Sequence, residues 1–368
     1  MAAGSTYGTV FKIMTWGESH GKGIGVVIDG CPAGLPLCAK DIQIYLDRRK
    51  PGQSKFTTQR NEADTVEILS GIFDGKTTGT PISMMVWNKD QISKDYSQIA
   101  ECYRPGHADF CFDAKYGFRD YRGGGRSSGR ETAGRVAAGA VAAKILKQMG
   151  ITLLTYTTSI GPVSIDKSRF DASEIANNSL YMPDAAAAKE ASDYLAECMQ
   201  NKNSAGGICE CVITGLPVGL GDPVFEKMDA NLAKAILSIG AVKGFEIGDG
   251  FAVSEATGLS NNDAFCIKEG NVSKKTNHSG GVLGGMTDSS PLVFRAAFKP
   301  TPSIASTQDT VTQSGEEISL NIKGRHDPVI VPRAVVVVES MAAITVLDAL
   351  LCNMSARLDR IIDFYNPK

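Results

Sequence analysis

Val10 to Ile13 and Val26 to Ile28 are β-prone runs flanking the polar turn Gly17-Glu18-Ser19-His20-Gly21. This pattern predicts two strands with the turn projecting from a sheet end or edge, its side chains accessible. Asp41 to Lys50 places Ile42, Tyr45 and Leu46 at helical spacing and stops at Pro51-Gly52, so Arg48, Arg49 and Lys50 fall at a helix end. Pro81 to Trp87 reads as a buried strand. Glu131 to Met149, Ala-rich and ended by Gly150, reads as the clearest helix. Further helices are predicted over Asp184 to Lys202, Asp229 to Ser238 and Glu339 to Ile361. Strand pieces are predicted over Cys209 to Thr214, Phe251 to Ser254, Leu292 to Phe298 and Val335 to Val338. Strands and helices intermingle along the chain, which implies an α/β or α+β architecture.

Composition narrows the class. With 368 residues the chain can form two ordinary domains or one large one, and no repeat or low-complexity linker marks a boundary. Hydrophobic residues at 43% and a net charge of -2 exclude a general nucleic-acid or membrane-surface role, so any basic site must be local. Apolar runs such as Ala334 to Val338 fall far short of the ~20 residues of a membrane-spanning helix. The nine cysteines are odd in number and lack a CxxC pair, which reads as free thiols in a reducing compartment. The amino terminus lacks a secretory pattern, and a cytoplasmic location is expected. His20, His107, His278 and His326 have no second His or Cys at ligand spacing, so no transition-metal site is expected.

Arg122 to Arg135, read as Arg-Gly-Gly-Gly-Arg-Ser-Ser-Gly-Arg-Glu-Thr-Ala-Gly-Arg, sets guanidinium groups and glycines at the threshold of the clearest helix. Such a segment can cradle an anion through backbone N–H groups, the helix start and bidentate arginines, or it can be a basic surface loop before a capped helix. Ser70 to Thr77 resembles a phosphate-binding loop but has Ser70 where the first glycine belongs, and a hairpin turn at Asp74-Gly75 is favoured. Gly17 and Gly21 bracket Ser19 as in a nucleophile elbow, yet a strand, not a helix, is expected to follow. His20 and His107, the latter in Arg104-Pro105-Gly106-His107-Ala108-Asp109, are either satisfied loop histidines or proton donors to a developing anion. Cations nearby would disfavour the protonated imidazole, so substrate charge should make the site competent. Lys323-Gly324-Arg325-His326-Asp327-Pro328 offers a clamp and a base, or an Arg–Asp ion pair. Lys299-Pro300-Thr301-Pro302-Ser303 is a stiff loop suited to an anion or a polar heterocycle, or a surface connector.

Taken in order, Gly17-Glu18-Ser19-His20-Gly21, Asp47-Arg48-Arg49-Lys50-Pro51-Gly52, Arg104 to Asp109, Tyr121 to Ser128, Ala241-Val242-Lys243-Gly244 and Arg325-His326-Asp327-Pro328 resemble the chorismate synthase family over nearly the whole chain. The resemblance implies a β-α-β sandwich, one domain over 1–368, and a homotetramer. It implies conversion of 5-enolpyruvylshikimate 3-phosphate to chorismate and phosphate by a 1,4-anti elimination that uses reduced FMN without net redox change. By similarity, His107 protonates the departing phosphate, and His20 protonates or stabilises the reduced flavin. Asp327, with Ser19 and Ser128, assists proton removal through flavin N5. Arg48, Arg49, Arg104, Arg130 and Arg325 meet the substrate, with Arg135 a further candidate. FMN contacts carry over to Arg126, Ser127, Ser128, Gly240, Ala241, Gly284, Lys299, Pro300, Thr301, Pro302, Ser303 and Arg325. Arg49 and Lys55 carry a nicotinamide-linked role. Gly240 stands where many members have a larger polar residue, and Lys55 where many have arginine. No reductase domain or dinucleotide fingerprint is visible in the sequence, so a separate NADPH-dependent flavin reductase is expected to supply the flavin. Two other functions fit the loops themselves: an anion-binding regulatory module without catalysis, and an NADPH-linked flavin oxidoreductase.

Overall fold

The computed structural model describes residues 4–54, 56, 62–89, 100–321 and 327–366. An amino-terminal antiparallel sheet runs in the order Thr6–Tyr7, Lys12–Trp16, Gly23–Asp29, Ile82–Trp87, Val66–Ile68. A second antiparallel sheet runs Val242–Ile247, Leu292–Phe298, Gly207–Thr214, Thr152–Ile160, Val163–Ser164. Helices fill the space between them. Thr132–Gln148 packs on the first sheet, Val331–Asn353 on the second, and the two helices pack on each other. Ala39–Arg49 and Met228–Leu237 flank them. The β-α-β layering is therefore realised, and the buried residues of both sheets and the helix layer form one continuous cluster.

Alternation explains the sheets. Leu292–Phe298 buries every second side chain, and Gly207–Thr214 sends Cys209 and Cys211 inward from the middle of its sheet. All nine cysteines are free thiols. Thr132–Gln148 is built from Ala, Gly and Val because helices press on it closely. A Cβ on Gly139 would lie 2.2 Å from Cβ of Ser340 in the neighbouring helix. The Ala185–Gln200 helix starts where Asp184 accepts from the N–H groups of Ala186 and Ala187.

Three expectations fail. Val335 to Val338 lies inside the Val331–Asn353 helix, because a helix buried nearly all round accepts β-branched residues whose intrinsic preference is for strands. The closing helix therefore begins before Glu339. It also ends at Asn353, and a separate exposed helix, Leu358–Tyr365, follows. Phe251 to Ser254 is a 3-10 turn within Gly250–Glu255, its apolar side chains too exposed to sit in a sheet. Val331–Asn353 is apolar and long enough to cross a bilayer, but 78% of its apolar stretch is buried between protein layers, as in a core helix. Ser70 to Thr77 is a hairpin, with Asp74 and Gly75 both at positive φ between paired strands.

Candidate functional site

The loop of Ser19 and His20 joins two strands paired from Lys12–Asp29 to Trp16–Gly25, so a strand follows the serine and the nucleophile elbow is absent. Contrary to expectation the loop does not project. Asn88 Nδ2 donates to the carbonyls of Glu18 (3.0 Å) and Gly21 (2.8 Å) and folds it back. The 122–128 segment then covers it. A Cβ on Gly123 would fall 2.6 Å from His20 Cε1 and 2.9 Å from Ser19 Oγ, so only glycine lets the two loops touch. Ser19 and His20 are buried, with Ser19 Oγ 3.1 Å from His20 Nδ1.

The second histidine loop meets the same glycine, Gly123. Arg104 forks onto Asp109 through Nε (2.8 Å) and Nη2 (2.7 Å), and the same Nη2 donates to the Gly123 carbonyl (2.9 Å). His107 has Nδ1 3.0 Å from the Pro105 carbonyl and Nε2 2.9 Å from Ser303 Oγ. Lys299 Nζ donates to the Gly106 carbonyl (2.8 Å) and meets no carboxylate among the described residues. Burial and the nearby Arg104 and Lys299 charges push His107 down to about 4, outweighing Asp109 and the Pro105 carbonyl. The imidazole is therefore neutral at pH 7. Asp109 is held below the usual carboxylate range: burial pushes it up, but Arg104 more than offsets that.

The arginines along and beside the Arg122–Arg135 segment already have partners within the fold. Arg49 Nη1 and Arg130 Nη1 each reach Asp64 at 2.8 Å, one on each carboxylate oxygen. Arg49 also donates to the Gly129 carbonyl (2.8 Å) and Thr132 Oγ1 (3.1 Å), while Arg130 donates to Asn88 Oδ1 and lies 3.5 Å from Glu62. Burial lowers Arg49 to about 10, which leaves it charged. Burial pushes Asp64 up, yet Arg49 and Arg130 together hold it low. Arg48 makes a two-point pair with Glu339 at 2.9 and 2.7 Å. Arg126 spends its guanidinium on the Gly17 carbonyl (3.0 Å) and on Thr15. Arg135 pairs with Glu131 (2.9 Å) and reaches Ser238 Oγ (2.6 Å). Arg122 points outward onto Asp120.

This chain is similar to known proteins along almost its full length. The family model described as chorismate synthase matches residues 11–351. The chain belongs to the chorismate synthase family. A chorismate synthase of Agathobacter rectalis is 76% identical over 363 residues, covering 99% of each chain, and one of Lachnospira eligens is 64% identical over the same share. A crystal structure of a chorismate synthase superposes with a TM-score of 0.75 at 32% identity, over 98% of both chains. The chain is accordingly a chorismate-forming carbon–oxygen lyase of the shikimate pathway.

Against that family, the predicted residues divide. Ser19, His20, Arg104, His107, Arg126 and Ser303 converge around Gly123 and Gly106. Ala241, at φ 71°, takes the Lys299 N–H on its carbonyl at 2.9 Å and so joins the 299–303 loop to Gly240. Pro302 packs against Gly106, Pro300 against Gly206, and Thr301 accepts Ser204 Oγ on its carbonyl. Ser128 caps the Gly129–Glu131 turn and thereby sets Arg130, while Ser127 Oγ donates to the Gly124 carbonyl. Gly284 sits at φ 60° at the tip of a hairpin whose hydrogen bonds run to Pro217 and Leu220. Lys55, Arg325 and His326 lie outside the described residues. Sequence reasoning missed Asp64, Glu131, Arg333 and Glu339, the counter-ions and partner of its arginines. The signal was general: buried arginines need carboxylates, but nothing local says which.

Proposed function

We propose that this chorismate synthase removes phosphate from 5-enolpyruvylshikimate 3-phosphate by 1,4-anti elimination, with no net redox change. The carrying observation is the His107 loop: a half-buried, neutral imidazole bounded by Arg104, Lys299 and Ser303, with more cation than carboxylate around it among the described residues. A bound phosphate ester supplies the missing negative charge, raises the proton affinity of the ring and makes His107 the acid for the departing phosphate. Arg48, Arg49, Arg104, Arg130 and Arg325 are assigned to the substrate's carboxylates and phosphate. The pairing of the first four means that they are positioned before substrate arrives. Asp327, beside Arg333 at 2.7 Å, is assigned, with Ser19 and Ser128, to assist removal of the proton.

The residues fit an FMN group. Thr301 Oγ1 is buried and has no hydrogen-bond partner among the described residues, and side chains at Gly240 and Gly284 would meet open space. Arg126, Ser127, Ser128, Gly240, Ala241, Gly284, Lys299, Pro300, Thr301, Pro302, Ser303 and Arg325 would hold the cofactor, Arg126 through the loop it fixes. Reduced FMN, when bound there, would supply transient electron density to the allylic system without net redox change. His20, wedged under Gly123, is assigned to hold a proton against the reduced flavin. Arg49 and Lys55 retain the nicotinamide-linked role, and NADPH acts indirectly, through a separate flavin reductase. A cytoplasmic homotetramer is part of the proposal. Phe225, Phe251, Leu259 and Phe265 are exposed apolar side chains that neighbouring copies would cover.

An anaerobic reaction with photoreduced FMN tests the reading, with phosphate, chorismate absorbance and flavin redox state measured together. Equal phosphate and chorismate with the flavin still reduced is the expected result. Flavin oxidised in proportion to product would overturn it, and anion binding without turnover would leave a regulatory module.

A further inference from the structure

Arg333 is the sole cation of the Val331–Asn353 helix and stands in its first turn, directly after Pro332. A helix start carries partial positive charge, so the local field disfavours arginine there. Two contacts hold it. Nη1 donates to Asp327 Oδ2 at 2.7 Å, and Nε donates to the Arg49 carbonyl at 3.1 Å. That carbonyl belongs to the last turn of Ala39–Arg49, where helical carbonyls lack intrahelical donors. One turn and a half further along the core helix, Glu339 grips Arg48 from the same short turn. The core helix therefore clamps the end of Ala39–Arg49 at two points, and the Arg333 point also holds Asp327.

We propose that Arg333 is a positioning residue for the elimination: it fixes the Asp327 carboxylate and, through the Arg49 carbonyl, the turn that presents Arg48 and Arg49. This rests on the roles assigned above to Asp327 and Arg49. It does not require Arg333 to touch substrate. The planar guanidinium serves both acceptors from adjacent nitrogens, a geometry that a lysine ammonium cannot reproduce.

A double-mutant cycle on turnover tests it, with Arg333→Gln, Arg333→Lys, Asp327→Asn and the Asp327→Asn/Arg333→Gln pair, each checked for folding by thermal melting. R333Q should lower kcat by at least about tenfold, R333K should recover part of that loss, and the double variant should be no slower than D327N alone. Independently of activity, hydrogen exchange in the flavin-free protein should be faster across residues 45–54 in R333Q than in the parent, and intermediate in R333K. Losses that multiply in the double variant, or R333Q turnover within twofold of the parent, overturn the inference while leaving the functional reading intact. A neutral D327N, or a parent without turnover, overturns the reading and the inference together. Should R333Q fail to fold, R333K carries the test, and parental turnover and exchange in R333K overturn the proposal.

Discussion

The Arg49–Asp64–Arg130 cluster and the His107 loop meet one glycine-rich segment at Gly129 and Gly123 and solve opposite electrostatic problems. In the first, Asp64, buried between two guanidinium groups, and Glu62, 3.5 Å from Arg130, together balance the two positive charges where water cannot. In the second, Lys299 lacks a carboxylate among the described residues, and the imidazole gives up its proton instead. The difference separates scaffold from chemistry: matched charges hold a shape, whereas an unmatched surplus waits for the ligand that completes it.

The largest effect expected from breaking this contrast is at Asp64. Asp64→Ala leaves two arginines buried without their shared partner and should cost about 3–5 kcal/mol in denaturant unfolding. A cost below about 1 kcal/mol would mean that the cluster is no fixed platform. Next, His107→Ala and His20→Ala should each lower turnover by ~10²-fold or more with melting temperature preserved, the scale of general acid catalysis. Parental turnover in either would remove that histidine from the mechanism.

A pH series sharpens the comparison. His107 has a folded value of about 4, below its ordinary 6.5, so the unfolded chain takes up the proton first as pH falls. The native state thus loses stability from about pH 6.5 down to about pH 4, with no further loss from this group below that. His107→Gln should show a shallower decline than the parent in denaturant midpoints across this window. Identical slopes would mean that the loop does not depress the ring. Smallest of all, Arg122→Ala removes only an exposed pair with Asp120, and turnover and melting temperature should match the parent.

The sequence made the loops legible for a physical reason. Glycine, proline and histidine in Gly17 to Gly21 and Arg104 to Asp109 announce close backbone approach and titratable chemistry without knowledge of neighbours. Leu292 to Phe298 was equally plain, because its alternation is local. Thr152–Ile160 escaped notice since Thr155 and Thr157 are polar yet buried, their burial decided by the helix packed across them. Val335 to Val338 misled because a short valine run is compatible with either periodicity until its surroundings are known. Asp64 was illegible for a different reason. Its partners stand 15 and 66 positions away, and only the tertiary fold brings the three together.

The Val331–Asn353 helix does more than separate two sheets. At its far end, Asp348 receives the N–H groups of Thr9, Val10 and Phe11 at 2.7 to 2.9 Å, and Thr345 Oγ1 lies 2.8 Å from the Tyr7 hydroxyl. The beginning of the chain is therefore fastened by nearly its last segment. Every strand of both sheets precedes in the chain the helix that covers their inner faces, so closure of the core waits for that helix to be made. Until then those apolar faces are surfaces for chaperones to shield.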